Sequence, residues 1–443
     1  MKSSIALVPA TLLAVSTLLA AADTHQSERL KKFNDAKFGM FIHWGPYSQA
    51  SVEASWPIMV PGTWGISEAD YRGLSKTFNP VQFDAKAFVR LAKAAGQKYM
   101  VFTTKHHDGF CMFDTQYTDY KITKSPYGKD VVAQLVEAAK AENMPLGFYY
   151  SPPDLNHPAY RDTRKLAATN WNGEPARPEW PLYLDYMELQ LRELLTRYGD
   201  PFVIWFDGLG VQQKYAGARF HELIHTLRPM TLINDRIGLT GDFVTPEQRL
   251  PNGIPRKGAV VDTVDPNDKG VLAEAPKPED FQPWETCMTI NDTWAYNKND
   301  RKFKSSTVLV RALIDAASKG GNFLLNVGPS PEGTIQPEFV ERLTAIGEWL
   351  KVNGDSIYGT TYGPLQSIPF GRMTAKGKTL YLHVFDMPKD SLELTGLKSK
   401  VASVKALDGG AAVKFTQSGE KLQIAVNGIK ANPHATVLAI TTR

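Results

Sequence analysis

Cysteine is scarce: the chain has two thiols, Cys111 and Cys287, in 443 residues. That excludes a disulfide-built scaffold, since two cysteines make at most one bridge, and a chain of this length can bury a core without it. One bridge or two buried thiols are the alternatives left open. Clustered positive charge is also missing. Fifty Lys and Arg stand against 46 Asp and Glu, and the formal +4 is spread along the chain, which argues against a nucleic-acid partner. Beyond the N-terminus no segment is long and apolar enough to span a membrane. No Gly-rich phosphate turn follows the first strand, so a dinucleotide-binding open sheet is disfavoured. A Gly-x-Ser-x-Gly elbow is absent and Cys111 has no evident oriented base, which counts against Ser or Cys nucleophiles. The first strand has no His-x-His, which counts against a metal centre among His43, His106, His107 and Asp207. Adjacent strand residues such as His106 and His107 also point to opposite faces while the strand lasts.

What is present is a leader-like start. Lys2 precedes the apolar stretch "IALVPATLLAVSTLLA", and Ala20 to Ala22 form a small-residue cleavage pattern before Asp23. Residues 1–22 therefore read as a signal peptide, and the mature protein as exported to a bacterial periplasm or beyond the cell. Next come apolar runs alternating with amphipathic ones. "KFGMFIHWG", "YMVFTTKHH", "PLGFYYS", "PFVIWFDG", "MTLINDR" and "GNFLLNVG" read as six strands. "DAKAFVRLAKAAGQ" and "DVVAQLVEAAKAEN" read as Asp-capped helices, with further helical patterns between the later strands. Room for two more strands remains between Arg236 and the last of these. Buried strands alternating with helices imply parallel pairing. A (β/α)8-like barrel is expected over 23–358, with an antiparallel β-sandwich over 359–443, where apolar and polar residues alternate between Gly, Asp and Asn turns.

Polar residues collect where the strands end: His43 and Trp44, then His106, His107 and Asp108, then Tyr149 and Tyr150, then Trp205 and Asp207, then Asn234, Asp235 and Arg236. One such group is ordinarily a satisfied structural residue. Five strand ends together predict a pocket for a hydroxyl-rich ligand, because buried polar groups need partners. Paired-carboxylate glycoside hydrolysis uses this set best. Asp207 fits the ionised carboxylate on a rigid strand end, and "GDFVTPEQRLP" offers Asp242 and Glu247 as the second. Trp44, Trp56, Trp205 and Trp294 are candidate sugar-stacking faces among nine Trp.

The motifs "FGMFIHWGPYS", "TTKHHDGF", "GFYYS", "WFDG", "NDR", "WETCMTINDTWAYN" and "GGNFLLNVGPSPEG" resemble glycoside hydrolase family 29, the α-L-fucosidases, from about Lys37 to Tyr358. The resemblance implies a barrel with a C-terminal β-sandwich that hydrolyses terminal α-L-fucose with retention and without cofactor. It implies Asp207 as nucleophile and Glu247, from "DFVTPE", as acid/base, with Glu285 of "WETC" as runner-up. It implies His43, His106, His107, Tyr149, Trp205, Arg236 and Trp294 around the sugar, while Phe113 belongs either to the apolar wall or to the core. Many members carry Glu-Trp where this chain has Ser55-Trp56, so Glu53 is the expected replacement for that Glu contact. The expected partner is a fucosylated oligosaccharide or glycan. The segments Asp154–Pro181 and Gly238–Gln282 are expected on the leaving-group side. A fucose-binding protein without turnover and a pyranosidase for galactose-configured substrates are the alternatives.

Overall fold

The computed structural model describes residues 24–165, 171–208, 212–257 and 276–443. The leader expected at 1–22 lies outside the described residues. Seven strands form one parallel sheet: β1 (Phe38–Ile42), β2 (Tyr99–Lys105), β3 (Leu146–Tyr150), β4 (Val203–Phe206), β5 (Leu232–Ile233), β6 (Glu285–Thr289) and β7 (Asn322–Val327). Their order is β5-β4-β3-β2-β1-β7-β6. Every residue in them is buried, which is why they read as unbroken apolar runs. Helices Ala85–Ala94, Val131–Ala141, Trp180–Arg197, Gly217–Leu227 and Ser306–Ser318 connect successive strands, and Pro337–Asn353 follows β7. Asp84 and Asp130 cap the first two of these by accepting from the amides of Ala87 (3.0 Å) and Ala133 (2.8 Å).

β5 and β6 are the sheet's two edges, and the segment 242–248 runs between them. Parallel bridges join Asn234 to Phe243, Val244 to Trp284 and Glu247 to Cys287. Pro246 lacks an amide hydrogen and Gln248 sits at φ 55°, so the segment pairs without becoming a regular strand. The barrel closes through this irregular eighth position. It and β6 occupy the room left after Arg236, and the architecture is (β/α)8-like as expected.

The same segment separates the two carboxylates that the sequence offered together. Asp242 lies level with Ile233, donating its amide to the Ile233 carbonyl at 2.7 Å, whereas Glu247 lies level with Cys287. Five residues along a strand-like path span about 16 Å, so the two sit at opposite ends of the barrel wall. Asp242 Oδ1 accepts from Arg29 Nε (3.0 Å) and Nη2 (2.7 Å), and Oδ2 accepts from the Ile233 amide (3.0 Å). Asp242 is thus a structural tie between the N-terminal helix 24–36 and the closing segment.

After the 3-10 turn Gly354–Ser356 the chain becomes antiparallel. β8 (Thr361–Tyr362), β9 (Gly371–Lys376), β10 (Thr379–Val384), β12 (Val401–Ala406) and β15 (Thr436–Thr442) form a five-stranded sheet. β11 (Ser391–Leu394), β13 (Phe415–Ser418) and β14 (Lys421–Ala425) form a three-stranded one. Met373, Leu382, Leu392, Val404, Leu422 and Leu438 belong to the separate core of this sandwich. Tyr381, Ala435 and Val437 turn the other way and join the barrel's core, so the module leans on the barrel through one face. Among the described residues no helix is long and apolar enough to cross a membrane.

Asp242→Ala should destabilise the protein by about 3–5 kcal/mol, because it leaves the buried Arg29 charge unpaired and frees the closing segment. Equilibrium urea unfolding measures this, and a loss below about 1 kcal/mol would show that closure does not depend on the pair.

Candidate active site

The pocket forms where the strands stop. Phe41, His43, Glu53, Ala54, Trp56, His106, His107, Trp205, Asp207, Arg236, Glu247, Cys287 and Trp294 line a cavity of about 100 Å³. A larger cavity, about 340 Å³, opens at the other end of the barrel, lined by Pro145, Pro201 and Met230 just ahead of β3, β4 and β5. It has no comparable convergence of acids and imidazoles, so the smaller one is the site.

Asp207 follows β4 directly. Its Oδ1 accepts from Arg236 Nη1 at 2.9 Å and its Oδ2 from the Tyr149 hydroxyl at 2.9 Å. Burial alone would raise its pKa, but Arg236, His107 and these hydrogen bonds outweigh burial and hold the carboxyl below its ordinary value. Asn234 sets the backbone beneath it. The Asn234 amide accepts from Phe206 N (2.9 Å) and donates to Phe206 O (2.8 Å), extending the β4–β5 ladder past its last residue. Arg236 is fixed by Thr245, to whose hydroxyl and carbonyl it donates at 2.9 and 3.0 Å. The same Nη1 that holds Asp207 also donates to Glu247 Oε2 at 2.9 Å. The two carboxylate oxygens therefore lie within twice 2.9 Å of one another. The guanidinium rests 5.0 Å over the Trp205 ring.

His43 and His107 are held with a defined proton position. Asn326 Nδ2 donates to Trp294 O at 2.7 Å, which turns its Oδ1 towards His43 Nδ1 at 2.7 Å. Ser151 donates its proton to Pro153 O at 2.7 Å, so at 2.6 Å it accepts from His107 Nδ1. Both imidazoles thus carry the proton on Nδ1 and offer a bare Nε2. Burial pushes each down to about 4, so both are neutral at pH 7. His106 is also buried and its pKa lies well below the usual value; its Nδ1 contacts Ser55 Oγ at 2.6 Å. The adjacent imidazoles both reach the pocket because β2 ends at Lys105, just ahead of them. Strict alternation would have separated them. The turn after them needs glycine: Gly109 has φ 80°, and a side-chain carbon there would meet Asp154 Oδ1 at 2.2 Å. Asp108 turns away, accepting from the Tyr71 hydroxyl at 2.9 Å.

Glu53 lines the pocket, with both carboxyl oxygens accepting from the Trp294 amide at 2.9–3.0 Å. Burial raises it to about 8, against the pull of these backbone bonds. Ser55 is fully buried, and Trp56, 38% exposed, stands at the rim. Trp205 stacks on Tyr149 at 5.8 Å and donates Nε1 to Glu285 Oε1 at 3.0 Å. Glu285 is also bonded to the Tyr99 hydroxyl, is raised to about 7 by burial, and lies beneath Trp205 rather than in the cavity.

Trp44 corrects an expectation. His43 faces the pocket, so the next residue faces away: Trp44 donates Nε1 to Ser330 O at 3.0 Å and packs on Phe78 and Phe83. Phe113 belongs to the core, edge-on to Tyr198, and Tyr150 points outward to Gln190. Cys111 and Cys287 are both buried and free, which settles them as thiols. Of the two segments expected on the leaving-group side, only Glu247 lines the cavity among the described residues, and 166–170 and 258–275 lie outside them. Asn326, Ser151 and Thr245 were not foreseen. Asn326, a buried amide near the end of an apolar strand, carried the same signal as the other strand ends.

A barrel that gathers two carboxylates on one arginine, with neutral imidazoles and indoles around them, defines a glycoside hydrolase. The family model for α-L-fucosidase matches residues 16–355. The plasma α-L-fucosidase of Rattus norvegicus is 30% identical over 351 residues, covering 74% of this chain and 70% of its own. Among solved structures, α-L-fucosidase isoenzyme 1 from Paenibacillus thiaminolyticus superposes with a TM-score of 0.83 at 34% identity, covering 95% of this chain and all of its own. A family 29 α-L-fucosidase from Bacteroides thetaiotaomicron, captured as a trapped covalent intermediate with 2-fluoro-fucosyl fluoride, superposes with a TM-score of 0.78 at 26% identity, over 94% and 96% of the two chains. The chain belongs to the α-L-fucosidase family.

The histidines make a pH statement. Their lowered values keep Nε2 of His43 and His107 bare down to about pH 4. Competitive inhibition by L-fucose should therefore stay level from pH 7 to about 5 and weaken as pH falls through about 4, where protonation turns both acceptors into donors. Weakening centred near 6.5, the ordinary histidine value, would contradict the role given to burial.

Proposed function

We propose that this chain is an exo-acting, retaining α-L-fucosidase that works by double displacement through a covalent fucosyl-enzyme. The observation that carries this reading is the shared Arg236 Nη1, 2.9 Å from both Asp207 Oδ1 and Glu247 Oε2. It keeps those two oxygens within twice 2.9 Å, a ceiling close to the roughly 5–5.5 Å of retaining enzymes. The 6.5–9.5 Å that leaves room for an attacking water in inverting ones is roughly the alternative. Asp207, kept ionised, attacks the anomeric carbon. Glu247, on the wetter side, gives its proton to the leaving oxygen and then takes one from the water that opens the ester. The Bacteroides thetaiotaomicron relative trapped as a covalent intermediate supports the same chemistry here. The substrate class is a fucosylated oligosaccharide or glycan, and the leader-like N-terminus supports an exported enzyme.

A panel of aryl glycosides, measured beside L-fucose binding, tests the reading. Turnover of the α-L-fucoside is expected. Binding without turnover would leave a sugar-binding protein, and preference for the galactose-configured glycoside would change the substrate.

Asp207→Gly should lower turnover by several orders of magnitude with the fold intact, since the covalent step is lost. Added azide should restore product release as the β-fucosyl azide. Near-native turnover in this variant would sink the nucleophile assignment.

Glu247→Ala should cripple hydrolysis of fucosyl-oligosaccharides, whose leaving groups need a proton. An aryl fucoside with a good phenolate should keep a fast first step, seen as a burst. Glu285→Ala should slow both substrates alike, because it loosens Trp205 from below. Leaving-group dependence in the Glu285 variant, and not in the Glu247 variant, would reverse the roles.

A further inference from the structure

Three neutral imidazoles meet in the pocket, and each has one ring proton to place. For His43 and His107 the partners leave no choice, as Asn326 and Ser151 each present an acceptor to Nδ1. His106 differs. Its Nδ1 meets Ser55 Oγ at 2.6 Å, and that oxygen already accepts from the Asp108 amide at 3.0 Å. Unlike Ser151, Ser55 has no carbonyl bonded to its hydroxyl proton among the described residues. Two receivers adjoin it: His106 Nδ1 and the oxygen of Tyr71, whose own proton goes to Asp108 or to the Ala54 carbonyl. A pyridine-type nitrogen is much the stronger base of the two, so the serine proton goes to Nδ1. Electrostatics favours the same arrangement. The His106 ring centre lies 4.2 Å from that of His107 and 5.8 Å from that of His43. A third bare Nε2 would leave this wall with acceptors only, beside the Asp207 carboxylate, whose Oδ2 is 3.5 Å from His107 Nε2. A proton on His106 Nε2 relieves that crowding.

We infer that Ser55 is a positioning residue that makes His106 the pocket's imidazole donor, opposite in polarity to His43 and His107. The site then reads the hydrogen-bond direction of the sugar hydroxyls and not only their places. This specificity rests on the fucoside reading above. At His43 and His107 a hydroxyl must donate. At His106 it must accept.

The ring protons are visible directly. Long-range nitrogen–proton correlation spectra of histidine-labelled protein at neutral pH separate pyridine-type from pyrrole-type nitrogens. The wild type should show a pyridine-type Nε2 for His43 and His107 and a pyridine-type Nδ1 for His106. Ser55→Asp, whose carboxylate only accepts, should move the His106 proton to Nδ1. L-fucose analogues with one hydroxyl replaced by fluorine give the second readout, because fluorine accepts but does not donate. Inhibition by the set should show one position where fluorine costs little and others where it costs about tenfold or more. In Ser55→Asp the tolerant position should be lost. A pyridine-type Nε2 on His106 in the wild type would overturn the inference whatever the substrate. If L-fucose fails to bind, the substrate reading falls while the spectrum still decides the tautomer. If Ser55→Asp does not fold, the wild-type spectrum and analogue series decide together.

Discussion

The guanidinium of Arg236 is the contact on which the active end of this molecule depends. It joins the regular strand end that carries Asp207 to the irregular segment that carries Glu247, at the end of that segment away from its Asp242–Ile233 bonds. One cation between two carboxylates also keeps their mutual repulsion from spreading the site. The guanidinium is itself rigid because Thr245 and the Trp205 face occupy its remaining edges. Charge and geometry at the active end are therefore set by one side chain.

Beneath this contact the barrel wall supplies a second tier of support that never touches the cavity. Glu285 and Tyr99 brace Trp205 from below, and Trp205 in turn stacks on Tyr149, which bonds Asp207. A buried acid raised to about 7 looks like catalytic machinery when considered alone. Its partners show that burial raised it and that its work is to hold an indole in place.

Much of this was legible in the sequence because parallel barrels place function at strand ends, and polar residues following apolar runs mark those ends. The Asp caps and most strands were visible for the same reason: they are local patterns. What the pattern missed was long-range pairing. His43 meets Asn326 across 283 residues, His106 meets Ser55 across 51 and His107 meets Ser151 across 44. No local window contains those pairs. Trp44 failed as a pocket residue because it was grouped with its neighbour, whereas alternation sends the two to opposite faces. The adjacent histidines escaped that same alternation because β2 ends at Lys105, just ahead of them.

The closing segment 242–248 leaves a mark on how such enzymes diverge. Asp207 follows a strand paired on both sides, so an insertion or deletion there would break two ladders at once. Glu247 hangs on isolated bridges and an arginine, between a proline and a left-handed glutamine. A residue gained or lost in that stretch costs little pairing and moves this carboxylate to a new address in the chain. A chain altered there would keep Asp207 in its motif while the facing carboxylate changed its place in the sequence, recoverable only in three dimensions.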